Sequence, residues 1–525
     1  MTVGPQAYWP ADTSVELDRR PIGEVLRCWA ATTPDAPAVR SLAGDDITTL
    51  SYADLFEHSH QLARALHASM TDNRTVGVCA IPTPDWLVLE YAAALAGVPL
   101  VPVNPAFTDE EIEYLLETAH VDLLFADSEF RGSPLLTRLV DIGARLDLQV
   151  SELACWRSMA LSDGHIPEVD PDNPFLIQYT SGTTGRPKGA VLSHRAAFNC
   201  ARISMQRIGG HRDDNWLNPL PMHHVGGSVS VALAVLSAGA CLTIVPAFEP
   251  GLVLRVLEAT SATILGSVPT MLIALMEHPS FASIDLSALR IVQSGGSTVP
   301  PSLIRNVEQR FDATVIVAYG QSESPNAIQT DITDDDVTKA ETIGRPMPQR
   351  EVCLAAPDGK PVGLGEVGEL WMRSPLTMDR YIGVPADIAA QTLDGDGWLH
   401  TGDLCSMDGR GVIRIHGRVR DVIIRGGENI YPAEVEDVLL RHPGVADVAV
   451  IGLPDERWGE IPVACYRAFP GARPDPDDLA RHARIALAAY KVPRRWIEVD
   501  SFPLTASGKV KKFELRAQLE AHPSQ

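Results

Sequence analysis

Apolar and polar positions along the first half of the chain change period repeatedly, from runs that suit a buried strand to spacings that suit a helix. Ser51-Tyr-Ala-Asp54 has the form of a capping box, and Leu55, Leu62 and Leu66 follow at helical spacing, which predicts a helix opening there. Thr75-Val-Gly-Val-Cys-Ala80 predicts a buried strand. Thr108-Asp-Glu-Glu111 opens a second helix by the same device, and Val121-Asp-Leu-Leu-Phe-Ala126 predicts the next strand. Strand–helix–strand succession implies parallel sheets with ligands at the carboxyl ends of strands. Near Gly417 the texture changes. Beyond it lie a helix start at Pro432, a strand at Val445-Ala-Asp-Val-Ala-Val-Ile451 and a basic tail around Lys509.

The expectation is an α/β protein. A large N-terminal body of α/β sheet subdomains spans 1–417, a hinge 418–421, and a small mobile α+β C-terminal domain 422–525. A length of 525 residues agrees, since it calls for roughly three or four packing units. One run, residues 225–248, contains no charged residue. Gly226, Gly227, Ser228, Ser230, Ser237, Gly239 and Pro246 interrupt it, so a buried helix followed by a buried strand is expected rather than a membrane span.

Composition narrows the function classes. With 45% hydrophobic and 21% charged residues the chain is globular, not disordered or fibrous. The net charge of −23 repels polyanions, so no nucleic-acid partner is expected, and any anionic ligand must be held by a local site. The eight cysteines are scattered without a C-x-x-C pair, which argues against a disulfide framework or zinc ribbon. The first twenty residues show no apolar signal core. These features predict a cytoplasmic location. Lysine is scarce: Lys188, Lys339, Lys360, Lys491, Lys509, Lys511 and Lys512 are all there are.

The densest chemical signal is residues 179–190, Tyr-Thr-Ser-Gly-Thr-Thr-Gly-Arg-Pro-Lys-Gly-Ala. Glycines let backbone N–H groups turn toward one anion, hydroxyls add short donors, and Lys188 supplies charge. Thr180, Ser181, Gly182, Thr183, Thr184 and Lys188 are therefore candidates for holding a nucleotide's phosphates. It is not a Walker A loop, because Pro187 fills the slot before Lys188 where the second glycine should stand. That disfavours a P-loop kinase. A flexible surface loop is the competing reading.

This stretch resembles the signature of the acyl-adenylate-forming enzymes: acyl- and aryl-CoA synthetases, peptide-synthetase adenylation domains and luciferases. Further motifs resembling that family follow in order: residues 218–227 (acyl pocket), 318–323 (metal-binding glutamate), 398–403 (ribose), 417–432 (hinge and following loop) and 503–509 (catalytic lysine). Five matches in order at family-like spacing, over nearly the whole chain, are specific.

The resemblance, closest to its acyl-CoA synthetase branch, implies an ATP- and Mg²⁺-dependent enzyme. It would activate a small-molecule carboxylic acid as acyl-AMP and transfer it to coenzyme A. The implied roles run residue by residue. Glu323, with Thr184, is the Mg²⁺ ligand, and Ser322, where relatives more often have threonine, hydrogen-bonds the α-phosphate. Gly296, Ser297, Tyr319 and Gly320 surround the nucleotide. Asp403 takes the ribose hydroxyls, with Arg418 beside it. Lys509 bridges carboxylate and α-phosphate. Arg420, where relatives carry Asp or Lys, is the hinge. His224 gates the pantetheine tunnel. Gly427, in the loop after the hinge, and Trp458, on which the CoA adenine can stack, serve the thiol half-reaction, with Lys491 and Arg494 available for the 3′-phosphate. Plain alternatives stand beside these: Glu323 as a solvated loop acid, Asp403 as a turn residue, Trp458 as packing, Lys509 as part of a basic tail.

The tail departs slightly from the family, with Lys512 where relatives often have arginine. No aspartate near Met222-His-His-Val-Gly-Gly227 could meet an α-ammonium group, which counts against an amino acid as substrate. A carrier protein replacing CoA as acceptor, or an inactive nucleotide-binding homologue, are the other functions compatible with the motifs. Oligomeric state is not written in the sequence.

Overall fold

The computed structural model describes residues 5–44, 46–70, 74–160, 163–180, 187–296, 299–503 and 510–521. The chain divides into two compact units: Trp9–Val352 with Met372–Leu399, and Met1–Tyr8 with Cys353–Trp371 and His400–Gln525.

The larger unit is built on two mixed sheets. The first has seven strands, in the order Arg380–Ile382, Lys188–Ser193, Pro174–Thr180, Leu100–Pro102, Thr75–Cys79, Val121–Ala126 and Gln149–Glu152. Its centre is parallel, and Thr75–Cys79 is buried at every position, as an apolar run covered on both faces should be. The second has nine strands, with Thr314–Gln321, Ile291–Gly295, Ile264–Ser267, Asn215–Asn218 and Cys241–Ile244 adjacent and parallel at its middle.

Helices alternate with these strands because their starts are encoded locally. Ser51 accepts the Asp54 amide while Asp54 reaches back to the Ser51 amide, opening the helix Tyr52–Ser69. Thr108 and Glu111 do the same for Asp109–Thr118. Both boxes stand where the sequence places them.

The uncharged run 225–248 folds as a buried helix and a buried strand, but the helix begins differently from expectation. Gly226–Leu233 is wound as a π-helix, Ala234–Ala238 continues as α-helix, and Gly239 reverses the chain into the strand Cys241–Ile244. Among the described residues no helix is long and apolar enough to cross a membrane.

Two five-stranded sheets have most of their residues in the smaller unit. One runs in the order Tyr8–Trp9, Glu351–Ala355, Gly368–Arg373, Leu399–Met407 and Ile413–Arg418. The other orders Glu428–Ile430, Ile423–Arg425, Gly459–Ala468 and Val445–Asp455, with Arg495–Glu498 paired beside Gly459–Ala468. Along Val445–Asp455, Val448 and Val450 face one core with the helices Pro432–Leu440 and Pro476–Ala486. Ala449, Ile451 and Leu453 face another with the helix Lys512–Ala521. From Val448 to Leu453 the strand reads as continuously apolar because both of its faces are covered.

Candidate active site

The candidate residues of the larger unit collect where strands of its sheets end. Thr180 closes the strand Pro174–Thr180 and pairs in register with Lys188, so the glycine- and hydroxyl-rich loop joins two adjacent antiparallel strands. Ser181, Gly182, Thr183 and Thr184 lie outside the described residues, as do Ser297 and Lys509. Ser322 and Glu323 form the two-residue turn between Thr314–Gln321 and Ser324–Gln329, with Gln321 opposite Ser324. Gly320 is required there: a Cβ would stand 2.5 Å from the Asn326 amide nitrogen. Tyr319 lies one residue earlier in the strand. Gly296 follows the carboxyl end of the neighbouring strand Ile291–Gly295.

Three side chains meet at this end. Lys188 is 8% exposed, has no carboxylate within ion-pair distance among the described residues, and carries its Nζ 5.5 Å from the Tyr381 ring centroid. The Tyr381 hydroxyl donates to Glu323 Oε1. Glu323 is also 8% exposed, and Tyr381 is its one side-chain hydrogen-bond partner among the described residues. Burial, then the neighbouring Glu323 charge, pushes the Tyr381 hydroxyl pKa far upward, so it remains a donor. The Met378 amide fixes the glutamate's backbone, donating to the Glu323 carbonyl at 2.7 Å.

An ammonium buried without a carboxylate is costly unless a ligand supplies the negative charge. A lone buried carboxylate suits Mg²⁺, which takes one or two protein carboxylates and fills its shell with water and phosphate oxygens. Among the described residues no group of three or more His, Cys, Asp or Glu could cage a metal unaided. The donor set therefore fits Mg²⁺ held jointly with a phosphate ligand.

The two histidines are held differently. The Gly226 amide donates to His224 Nδ1 at 3.0 Å, which leaves the proton of a neutral His224 on Nε2. The His224 carbonyl accepts the Gly227 and Ser228 amides, tying the histidine to the start of the π-helix. π-Turns are frequent at functional sites. His223 is held through its carbonyl by the Gln178 side-chain amide at 3.1 Å. Burial, then His224, depresses the His223 imidazole to about 4, so it is neutral near pH 7.

The smaller unit carries the other candidates. Asp403 and Arg418 are register partners on adjacent strands, and Arg418 Nε lies 3.0 Å from Asp403 Oδ1. Asp403 is 4% exposed. Arg420 sits in a short 3₁₀ turn, Val419–Asp421, with Asp421 3.6 Å away. Gly426 and Gly427 make a hairpin turn with φ of 60° and 89°, a conformation that glycine alone adopts without strain. The Gly426 amide donates to the Trp458 carbonyl, and the Trp458 ring is flanked by Arg425 at 4.8 Å and Arg457 at 5.1 Å. Arg425 is buried, its Nε has no hydrogen-bond partner among the described residues, and burial, then Arg494, lowers its pKa. Lys491, by contrast, is held by both oxygens of Glu434 at 2.6 Å. It is therefore less available to an anion than its position in the sequence suggests.

Tyr381, Arg425 and Arg457 are brought to these sites by the fold and have no role assigned by the motifs. Arg425 stands beside the Gly-Gly turn, a signal that could have found it. Tyr381 has no such signal. It reaches Lys188 because Arg380–Ile382 pairs with Lys188–Ser193, with Tyr381 opposite Ala190.

Comparison with known proteins gives concordant matches. A family model described as AMP-binding enzyme matches residues 26–382, and one described as AMP-binding enzyme C-terminal domain matches 434–509. The putative acyl-CoA synthetase YngI of Bacillus subtilis (strain 168) is 34% identical, over 95% of this chain and 97% of its own. Feruloyl-CoA synthase of Amycolatopsis sp. is 35% identical, over 93% and 96%. The crystal structure of ATP-bound MatB from Rhodopseudomonas palustris is similar with a TM-score of 0.87 at 26% identity, covering 95% of this chain and 99% of that one.

Proposed function

The chain belongs to the AMP-binding enzyme family, in its acyl-CoA synthetase branch, and on that premise we propose that it couples a carboxylic acid to coenzyme A through an acyl-adenylate made from ATP. The observation that carries this reading is the buried Lys188, which has no carboxylate partner among the described residues and is set over Tyr381, which in turn grips Glu323.

The chemistry needs that arrangement. A carboxylate is a poor electrophile because its leaving group would be oxide. Attack of its oxygen on the α-phosphorus expels pyrophosphate and supplies AMP as a leaving group instead. Two anions must approach for this, so positive charge has to be placed beforehand. Thr180 and the loop after it, with Lys188, hold the phosphates. Glu323, with Thr184, would hold Mg²⁺, which when bound offsets triphosphate charge. Ser322 donates to the α-phosphate, Gly296, Ser297, Tyr319 and Gly320 bound the nucleotide, and Asp403 with Arg418 takes the ribose. Lys509 bridges the carboxylate and the α-phosphate.

The thioester step requires Lys509 to leave. The small domain, 422–525, swings about Arg420 in the hinge 418–421, and the thiol then enters past His224. Arg425 and Arg457 beside Trp458, with the Gly426–Gly427 turn, give CoA an aromatic face and a cationic rim; base–aromatic stacking contributes about 1–3 kcal/mol. The lack of an aspartate beside Met222-His-His-Val-Gly-Gly227 to meet an ammonium counts against an amino acid as the substrate.

The test is a pyrophosphate-release screen over carboxylic acids of graded size, with CoA, with a phosphopantetheinylated carrier protein, and with neither. The reading expects acid-dependent release and thioester formation with CoA. Thioester with the carrier protein alone would reassign the acceptor, and no release with any acid would remove the reading.

A further inference from the structure

The metal and phosphate grips of this site lie on separate strands far apart in the chain, and one residue touches both. Glu323 is in a turn of the nine-stranded sheet, whereas Lys188 begins a strand of the seven-stranded sheet. Tyr381 lies on the edge strand Arg380–Ile382, which pairs antiparallel with Lys188–Ser193 through Gly189↔Ile382, Ala190↔Tyr381 and Val191↔Arg380. Just before that strand the chain is pinned from both sides. The Met378 amide donates to the Glu323 carbonyl at 2.7 Å, and the Asp379 amide donates to the Val191 carbonyl at 2.9 Å. The backbone of 378–382 is thus a strap between the two sheets, and Tyr381 is the side chain it delivers inward.

We propose that Tyr381 is a positioning residue for the adenylation half-reaction: its hydroxyl sets the Glu323 carboxylate for the metal, and its ring face supports the Lys188 ammonium for the phosphates. This inference rests on the function proposed above. The Tyr381 hydroxyl fixes Oε1 of this buried carboxylate and leaves Oε2 without a side-chain hydrogen bond among the described residues. Partners that orient a metal's ligands commonly change metal affinity. The ring acts on the other grip. A cation within about 6 Å of an aromatic centroid is attracted to its face, and Lys188 meets that condition while lacking a carboxylate partner among the described residues. An aromatic face steadies the ammonium without neutralising it, so its charge stays available to a phosphate. A carboxylate in the same place would hold the lysine but cancel it.

The ring and the hydroxyl can be separated by experiment. Mn²⁺ binding to the protein with a non-hydrolysable ATP analogue is read from the free-ion paramagnetic resonance signal, and analogue affinity is read by calorimetry in EDTA. Tyr381→Phe removes the hydroxyl alone. It should weaken Mn²⁺ on the order of tenfold, the effect of losing one hydrogen bond to a charged group, and leave metal-free analogue affinity as in the wild type. Tyr381→Leu removes both groups and should weaken both affinities. p-Aminophenylalanine at 381, which restores a donor on an intact ring, should return Mn²⁺ affinity toward the wild-type value. A role confined to packing would lower the melting temperature without splitting the two affinities. Wild-type Mn²⁺ affinity in Tyr381→Phe overturns this inference alone. Absence of metal-dependent analogue binding by the wild-type protein overturns both it and the enzyme reading beneath it.

Discussion

Lys188 and Lys491 are both scarce lysines in candidate anion sites, and the fold treats them oppositely. Lys188 is buried against an aromatic ring with no carboxylate near it among the described residues, whereas Lys491 is doubly bonded to Glu434. The first keeps its charge for a ligand; the second spends most of it within the protein. In the smaller unit Arg425 is the cation left available, buried beside Trp458 with its Nε unmatched among the described residues. A cation's availability thus depends on its neighbours, not on its place in a motif.

That contrast can be broken in graded steps. The largest effect belongs to Lys509→Ala, which should reduce acid-dependent pyrophosphate release on the order of a thousandfold while sparing thioester formation from preformed acyl-AMP. Equal loss in both assays would deny the lysine a role confined to one half-reaction. Lys188→Met should follow, with pyrophosphate release down on the order of a hundredfold and nucleotide affinity down with it, measured beside an unchanged far-ultraviolet circular dichroism spectrum. A smaller effect is expected across the smaller unit. Arg425→Ala or Trp458→Ala should raise the KM for CoA about tenfold and leave pyrophosphate release without CoA intact, since one stacked base is involved. Lys491→Met should change that KM less than Arg425→Ala does. The reverse order would mean that Glu434 gives up Lys491 when CoA binds.

The smallest effect is on stability. His223 is held near 4 in the folded chain against about 6.5 when unfolded. Between those values the unfolded chain binds the extra proton, so stability rises with pH there and is lost as pH falls from about 6.5 toward 4. His194, depressed to about 3 by burial, acts in the same direction. Urea midpoints measured across this window should fall with acid, and His223→Gln should flatten the slope without abolishing it.

Much of the fold was legible because it is encoded over a few residues. The Ser51 and Thr108 boxes, the apolar runs at 75–80 and 121–126, and the Gly426–Gly427 turn each carry their cause in adjacent side chains. The π-winding of Gly226–Leu233 was not legible, since an uncharged run has the same appearance whether its bonds span four residues or five. Of the site, the motif residues could be named in advance but their partners could not. Tyr381 reaches Glu323 across 58 residues of chain, and Lys491 reaches Glu434 across 57. Neither pairing has a local period or spacing to betray it; both are set by tertiary packing between elements distant in the chain.

Attack of an acid oxygen on the α-phosphorus of ATP can be followed by supplying an accepted acid labelled with ¹⁸O in its carboxyl group, together with ATP and CoA, and weighing the AMP produced. Attack at phosphorus followed by thiolysis of the acyl–oxygen bond predicts a single heavy oxygen in the phosphate of each AMP and none in pyrophosphate. Unlabelled AMP, or ADP and orthophosphate as the products, would contradict the account.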